Sequence, residues 1–146
     1  MQIEFTKEQF KEMLLAAMLY SWIRGGLADN KGQDPSQYET LQNYLLEIAE
    51  DNGYNNLTEY FHGHLLPNDE LCKLEEEIMA EYDDDAFWHE LITLLGQRDF
   101  WRTVTPAEEK EIKKQNCLPE RVQDFYDKYE KEFEEHGIEK LEIKNN

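Results

Sequence analysis

The sequence contains few of the residues that cross-link, break or loosen a chain: 2 cysteines, 4 prolines and 7 glycines among 146 residues. Because Cys72 and Cys117 lack CxxC spacing, they predict free thiols in a reducing compartment and argue against a disulfide framework. No proline-rich or glycine-rich stretch marks a linker. We therefore expect residues 1–146 to form a single domain.

Basic residues are also scarce, with 15 lysines and arginines against 33 acidic residues and a net charge of −18. This charge repels phosphates, so direct nucleic-acid binding is not expected, and it favours basic protein surfaces as partners. The longest apolar stretch, Met13 to Ile23, has about half of the roughly 20 residues that a membrane-spanning helix needs. Since the N-terminus does not resemble a signal peptide, we expect a cytoplasmic protein with no membrane association.

Familiar catalytic motifs are missing as well. The sequence has no GxGxxG, P-loop, GxSxG, HExxH or paired CxxC motif, and these patterns mark common nucleotide, hydrolase and metal sites. Our leading hypothesis is therefore a small acidic interaction or accessory protein, without catalytic activity and without a cofactor.

The sequence is rich in apolar residues at helical spacing, and hydrophobic residues make up 40% of the chain. Stripes that recur every three or four residues predict a mainly α fold, an irregular bundle of five to seven helices. In chain order, the predicted helices run from Thr6 to residues 24–26, from Asp34 to residues 51–53, from Leu57 to His62, from about Asp69 to Tyr82, from an N-cap at Asp83–Asp85 through Leu95, from Thr105 onward, and from Leu118 to His136.

The two ends of the chain read as short strands. Gln2 to Phe5 and Ile138 to Ile143 alternate polar and apolar residues, and they are expected to pair because an isolated strand leaves backbone groups without partners. The first helix is apolar on all sides, which is typical of a core helix or of a dimer seam. The sequence is thus compatible with a monomer or a homodimer.

Residues 69–90 hold ten acidic residues and one base, Lys73. Spacings of i, i+4 and i+7 place Glu77, Glu81 and Asp84 on one helical face, where carboxylates can converge on Mg²⁺ or Mn²⁺. This pattern supports an alternative hypothesis, a metal-dependent hydrolase with a divalent cation. A solvated acidic face is the simpler interpretation, and a third hypothesis is an acidic nucleic-acid mimic that occupies a DNA-binding protein.

The histidines suggest one further metal hypothesis. His62, His64 and His89 together would give a three-histidine set of the kind that suits catalytic zinc. A histidine pair beside a helix break is more often structural or simply exposed.

One short segment has the composition of an interface: Arg98-Asp99-Phe100-Trp101-Arg102. Arginine and tryptophan are enriched where binding energy concentrates, so Arg98, Phe100, Trp101 and Arg102 are candidate interaction residues. In the alternative interpretation, Phe100 and Trp101 close the core while the two arginines pair with the neighbouring acidic helix.

Overall fold

The computed structural model describes residues 4–142, and the predicted mainly α fold is confirmed for them. The chain divides into two compact units, residues 1–81 and 82–146. Two compact units can still unfold as one cooperative domain, so the single domain stays a prediction.

In chain order the elements are α1 (Lys7–Asp29), α2 (Thr40–Asp51), β1 (Thr58–Phe61), β2 (His64–Pro67), α3 (Asp69–Trp101), α4 (Pro106–Gln115) and α5 (Gln123–His136), with 3₁₀ turns at Ser36–Tyr38, Asn55–Leu57 and Glu120–Val122.

Helix α1 begins where the sequence predicts. The Thr6 hydroxyl accepts a hydrogen bond from the Gln9 backbone N–H (3.2 Å), and the Gln9 side chain accepts one from the Thr6 N–H (2.9 Å), which is a capping box. The predicted end at residues 24–26 is wrong, since the helix continues to Asp29. A glycine inside a helix costs only about 1 kcal/mol, and the burial of Ala28 beyond the glycines favours continuation.

The first unit has a single large aliphatic core between α1, α2, the hairpin and the start of α3. At one edge of this core the rings of Phe10 and Tyr54 stack on each other, with centroids 4.8 Å apart. The buried residues of this core are Phe10, Leu14, Ala17, Met18, Leu45, Leu46, Ala49, Leu57 and Leu71.

Several large apolar side chains in the C-terminal half of α1 face solvent instead of the core. Tyr20, Trp22, Ile23 and Leu27 are each between 41% and 54% exposed. The expectation that an all-round apolar helix is buried is therefore wrong for its C-terminal half. Periodicity alone does not reveal which apolar faces a neighbouring element covers.

A β-hairpin occupies the place of the helix that the sequence predicts over residues 57–62. Strands β1 and β2 pair antiparallel, and His62 and Gly63 form the connecting turn with φ angles of 51° and 83°. Positive φ at both central residues is the geometry of a type I′ turn, whose twist suits a hairpin. The β-branched Thr58 and the aromatic Tyr60 also favour a strand over a helix.

Helix α3 is continuous where the sequence predicts two helices, so the predicted N-cap at Asp83–Asp85 is wrong. No glycine or proline occurs between Leu71 and Leu95, and aspartate inside a helix costs less than about 1 kcal/mol per residue relative to alanine. Every side chain from residue 80 to residue 85 is exposed. The division between the two units falls within this unpacked acidic turn.

The second unit is built from the remainder of α3 with α4 and α5, around the fully buried Phe100. Ile112 and Val122 are the other buried members of this core. Helices α3 and α5 approach closely at Gly96, where a Cβ atom would lie 2.5 Å from Cδ1 of Tyr126. The glycine therefore allows the two helices to pack together.

The predicted pairing of the chain ends is not found in the described residues. Glu4 and Phe5 are irregular, and residues 138–140 form a turn in which the Leu141 N–H donates to the Ile138 carbonyl (3.0 Å). This turn satisfies backbone groups locally, so a strand partner is not required there. Residues 2, 3 and 143, which complete the two predicted strands, lie outside the described part of the chain.

Across residues 4–142, no helix combines the length and the apolar character needed to cross a lipid bilayer.

Candidate interaction site

The acidic run of α3 is mainly a solvated surface. Of the ten acidic side chains in residues 69–90, nine are exposed and Glu75 is half-buried. Burial, followed by the neighbouring Glu76 carboxylate, raises the pKa of Glu75 above its ordinary value. Exposed like charges at this density create a strongly negative potential along the helix.

The three candidate metal ligands are exposed side chains of α3. Glu77 and Glu81 belong to the first unit, whereas Asp84 belongs to the second. In the described part of the chain, no group of three or more His, Cys, Asp or Glu side chains is gathered as a metal site. The metal site therefore stays a prediction from helical spacing.

The histidines are placed in different settings. His62 and His64 are exposed at the turn of the hairpin in the first unit, and His89 is an exposed residue of α3 in the second unit.

The predicted interaction segment forms a local polar network in the second unit. Arg98 Nε and Arg102 Nη1 both donate to Asp99 Oδ1, at 2.9 and 3.0 Å. Arg98 Nη2 also donates to the Tyr129 hydroxyl (2.9 Å), which donates in turn to Asp99 Oδ2 (2.5 Å). The arginines thus pair with an acid of their own segment and with a tyrosine of α5.

This network shifts the ionisation of its members. Hydrogen bonds from Arg98 and then from Tyr129 lower the pKa of Asp99 to about 2. Burial, followed by the hydrogen bond to Asp99, raises the pKa of Tyr129. The ionised Asp99 is the form that the network stabilises.

The two aromatic residues of the segment have different environments. Phe100 is 0% exposed, so its side chain belongs to the core, whereas Trp101 remains 39% exposed. Of these two, only Trp101 presents an appreciable surface to a partner.

Trp101 belongs to an exposed apolar stripe on α3 that the sequence interpretation did not separate from the core face. Phe87, Leu94 and Trp101 follow one another at i, i+7 and i+14, so they share one side of the helix. They are 51%, 62% and 39% exposed. We call these three residues the α3 stripe.

A cavity opens between α3 and α5 within the second unit, with a volume of about 340 Å³. Its walls come from i, i+3, i+4 and i+7 positions of α3 and from i, i+3 and i+4 positions of α5, because these spacings put side chains on one helical face. We call this cavity the aromatic pocket, and its lining residues are Asp85, Trp88, His89, Ile92, Glu130, Phe133 and Glu134.

Two aromatic rings form the apolar wall of the pocket. Trp88 and Phe133 have ring centroids 5.6 Å apart with an interplanar angle of 42°. Phe87 packs edge-on against Trp88 at 5.0 Å, and the Trp88 indole N–H donates to Asp84 Oδ1 (3.1 Å). These contacts fix the orientation of the indole.

The polar wall of the pocket is acidic. With the described residues, Asp85, Glu130 and Glu134 make no ion pair within 4.0 Å. Glu134 also lies in the last turn of α5, where the helix dipole adds negative potential. The electrostatic potential of the pocket is therefore negative, which favours a bound cation.

The sequence contains a signal for this pocket that the interpretation by apolar periodicity missed. Both helices carry acids one turn away from an aromatic residue, Asp85 before Trp88 and Glu130 before Phe133. That mixed spacing is visible in the sequence, but the pairing of α3 with α5 is a tertiary contact.

No family model matches the sequence, and neither a curated protein nor a solved structure shows significant similarity to the chain.

Proposed function

We propose that this chain is an acidic, non-catalytic interaction protein whose second unit binds a basic protein partner. The observation that carries the proposal is the α3 stripe, which leaves large apolar side chains in solvent beside exposed carboxylates. The docking element we expect on the partner is a basic segment with apolar residues, such as a basic amphipathic helix.

The length of the α3 stripe matches that of a docked helix or extended segment of a partner protein. Phe87 and Trp101 are separated by fourteen residues of continuous helix, which corresponds to about 21 Å at 1.5 Å per residue. Exposed aromatic residues in such a row are typical of protein interaction surfaces and are costly to leave in water.

Charge decides which kind of partner is favoured. Asp83, Asp84 and Glu90 are exposed on α3 close to the stripe in helical phase. A net charge of −18 disfavours a second copy of the same chain and accelerates encounter with a basic surface. A basic partner therefore satisfies both the apolar and the electrostatic character of the surface.

Affinity chromatography with the full chain as bait tests this proposal. The double variant Phe87→Ala/Leu94→Ala removes two exposed side chains of the stripe and should lose a specifically retained basic protein. The matched control is Tyr44→Ala/Leu41→Ala, which also removes one aromatic and one leucine, at positions of α2 that are 58% and 50% exposed.

The expected result is a protein retained by the wild type and by the α2 control, released by salt, and lost by the stripe variant. Failure of the wild type to retain any protein in moderate salt contradicts the proposal. Equal retention by all three baits contradicts the assignment of the stripe.

The metal-dependent hydrolase is a second candidate function, favoured by the i, i+4 and i+7 spacing of the exposed carboxylates Glu77, Glu81 and Asp84. It predicts that millimolar Mg²⁺ or Mn²⁺ raises the melting temperature by mass action. The triple variant Glu77→Gln/Glu81→Gln/Asp84→Asn should then lose this rise. Equal responses of the two proteins to the metal argue against this candidate.

A further inference from the structure

The aromatic pocket has a chemical character of its own, separate from the α3 stripe. At 100° per residue, Asp85, Trp88 and Ile92 point to the side of α3 away from Leu94. The pocket and the stripe therefore face different sides of α3, although Phe87 of the stripe contacts Trp88 of the pocket with ring centroids 5.0 Å apart. The residues that line the pocket therefore indicate which ligand it binds.

The apolar wall suits a flat or extended cationic group. Trp88 is half-buried, and its ring is oriented by the Asp84 hydrogen bond on one side and by Phe87 on the other. A cation placed within about 6 Å of the centroid of an aromatic ring is attracted by the negative face of the ring, and tryptophan is the strongest of these acceptors. A pre-oriented indole loses little freedom when such a group binds.

The acidic wall supplies the complementary charge. Asp85 lies on α3, whereas Glu130 and Glu134 lie on α5, so carboxylates stand on both sides of the cavity. Among the described residues, none of those that line the pocket is a lysine or an arginine. Three carboxylates beside two rings form a site in which a cation has both electrostatic and aromatic contacts.

Other ligand classes fit less well. An anion would be repelled by the three carboxylates, and an uncharged apolar group would leave them desolvated without a counter-charge. A small metal ion requires converging ligands, and the described residues contain no such gathering. A cation larger than a metal ion can satisfy carboxylates that are spread around a cavity.

We infer that the aromatic pocket binds a single lysine or arginine side chain of the basic partner, with the cation held between the carboxylates of Asp85, Glu130 and Glu134 and the ring of Trp88. The volume of about 340 Å³ lies near the lower end of the roughly 300–1,000 Å³ typical of ligand pockets, which fits one side chain. The inference depends on the proposed function in one respect: the lysine or arginine is taken to belong to the basic protein partner.

Binding can be measured directly by NMR on the full-length chain. The reporter is the indole N–H resonance of Trp88, assigned with the variant Trp88→Phe. The probes are three neutral glycine-serine peptides that differ at one central position, which is lysine, arginine or glutamine. We expect the lysine and arginine peptides to shift the resonance saturably, with a roughly millimolar Kd, and the glutamine peptide to leave it unchanged.

A pair of charge-matched variants separates the pocket from the general field of the protein. The pocket variant Asp85→Asn/Glu130→Gln/Glu134→Gln should weaken binding about tenfold. The control variant Glu120→Gln/Asp124→Asn/Glu139→Gln removes the same number of charges from exposed positions outside both the pocket and the α3 stripe. It should bind within about twofold of the wild type, because distant exposed charges are screened by salt.

Two results overturn the inference. Equal weakening by both triple variants assigns the binding to net charge alone. Tighter binding of free spermidine than of either cationic peptide, with the same shift of the Trp88 resonance, assigns the pocket to a free polyamine.

The outcome for the pocket is independent of the outcome for the proposed function. If the cationic peptides leave Trp88 unshifted while the chromatography retains a partner through the α3 stripe, the pocket inference fails alone. If the peptides bind in the pocket but no protein is retained by the wild type, the proposed function fails alone.

Discussion

The two compact units of this chain achieve stability in different ways. Among the described residues, the first unit buries nine in one mainly aliphatic cluster, whereas the core cluster of the second unit has three buried members, Phe100, Ile112 and Val122. A small core supplies less hydrophobic stabilisation, which scales with the apolar area removed from water.

Polar contacts supplement the small core of the second unit. The Asp99 network ties α3 to α5 through Tyr129. Arg121 pairs with Glu108 at 2.7 Å and also lies over the ring of Phe100, with Cζ 4.6 Å from its centroid. The second unit leaves the α3 stripe exposed, and the first unit likewise leaves Tyr20, Trp22, Ile23 and Leu27 of α1 exposed. The two units therefore differ in the size of their cores and in their polar contacts, while both leave apolar side chains in solvent.

The largest expected effect is the loss of a core side chain in each unit. Phe100→Ala should cost about 3–5 kcal/mol and Leu46→Ala about 2–5 kcal/mol, because each leaves a cavity at a residue that is at most 1% exposed. Urea unfolding gives the cost. Hydrogen exchange should show lower protection mainly within residues 82–142 for Phe100→Ala and within residues 4–81 for Leu46→Ala.

This experiment also bears on the single-domain prediction. If both variants lose protection against hydrogen exchange throughout the chain, the two units do not unfold separately. That result would support one cooperative domain.

A smaller effect is expected from Asp99→Asn, which removes the charge that Arg98 and Arg102 bind. At neutral pH the variant should be less stable by about 1–3 kcal/mol, the range for hydrogen bonds to charged groups. Because the folded-state pKa of Asp99 is lowered to about 2, this stabilisation is fully present above about pH 4. It is lost as the pH falls toward about 2, when the carboxyl is protonated.

Urea unfolding of wild type and variant at a series of pH values measures this gap. The control is Asp83→Asn, an exposed aspartate for which a change within about 0.5 kcal/mol is expected. A wild-type advantage over Asp99→Asn that stays constant from pH 7 to pH 3 and below would show that the network does not depend on the charge of Asp99.

The smallest expected effect contrasts one substitution at two glycines. At Gly96 of α3, a new Cβ would meet the Tyr126 ring at 2.5 Å and the Phe125 backbone at 3.4 Å, whereas no atom lies within 4 Å of the corresponding position at Gly26 of α1. Gly96→Ala should cost about 1–3 kcal/mol through overpacking, and part of that cost is offset by the helix propensity of alanine. Gly26→Ala should stabilise the helix by up to about 1 kcal/mol.

Thermal unfolding of the two glycine variants gives the sign of each change. Stabilisation by Gly96→Ala would mean that α3 and α5 are not closely packed at Tyr126, and would remove the geometric basis of the aromatic pocket.

Apolar periodicity predicted the helices better than it predicted their limits. Leu71 and Tyr82 are eleven positions apart and therefore have nearly the same helical phase, yet Leu71 is 0% exposed and Tyr82 is 62% exposed. Helical phase alone therefore does not predict burial. The hairpin was missed because its turn, His62-Gly63, lies between two short runs that fit a helix or a strand equally well.

The candidate sites were predicted less completely than the fold. Arg98 and Trp101 are indeed accessible, but Phe100, placed in the same segment by composition, is entirely buried. The aromatic pocket was not predicted, because Trp88 and Phe133 are 45 positions apart in the sequence and local patterns carry no information about such contacts.

By itself the sequence determined the net charge of −18, the mainly helical character and the capped start of α1 at Thr6, since these depend on composition and on interactions within a few residues. Tertiary structure decided which apolar side chains are covered and which residues of α3 and α5 line one pocket. Burial depends on packing between elements distant in the chain, and the free energy of that packing exceeds the small local preferences that a sequence pattern records.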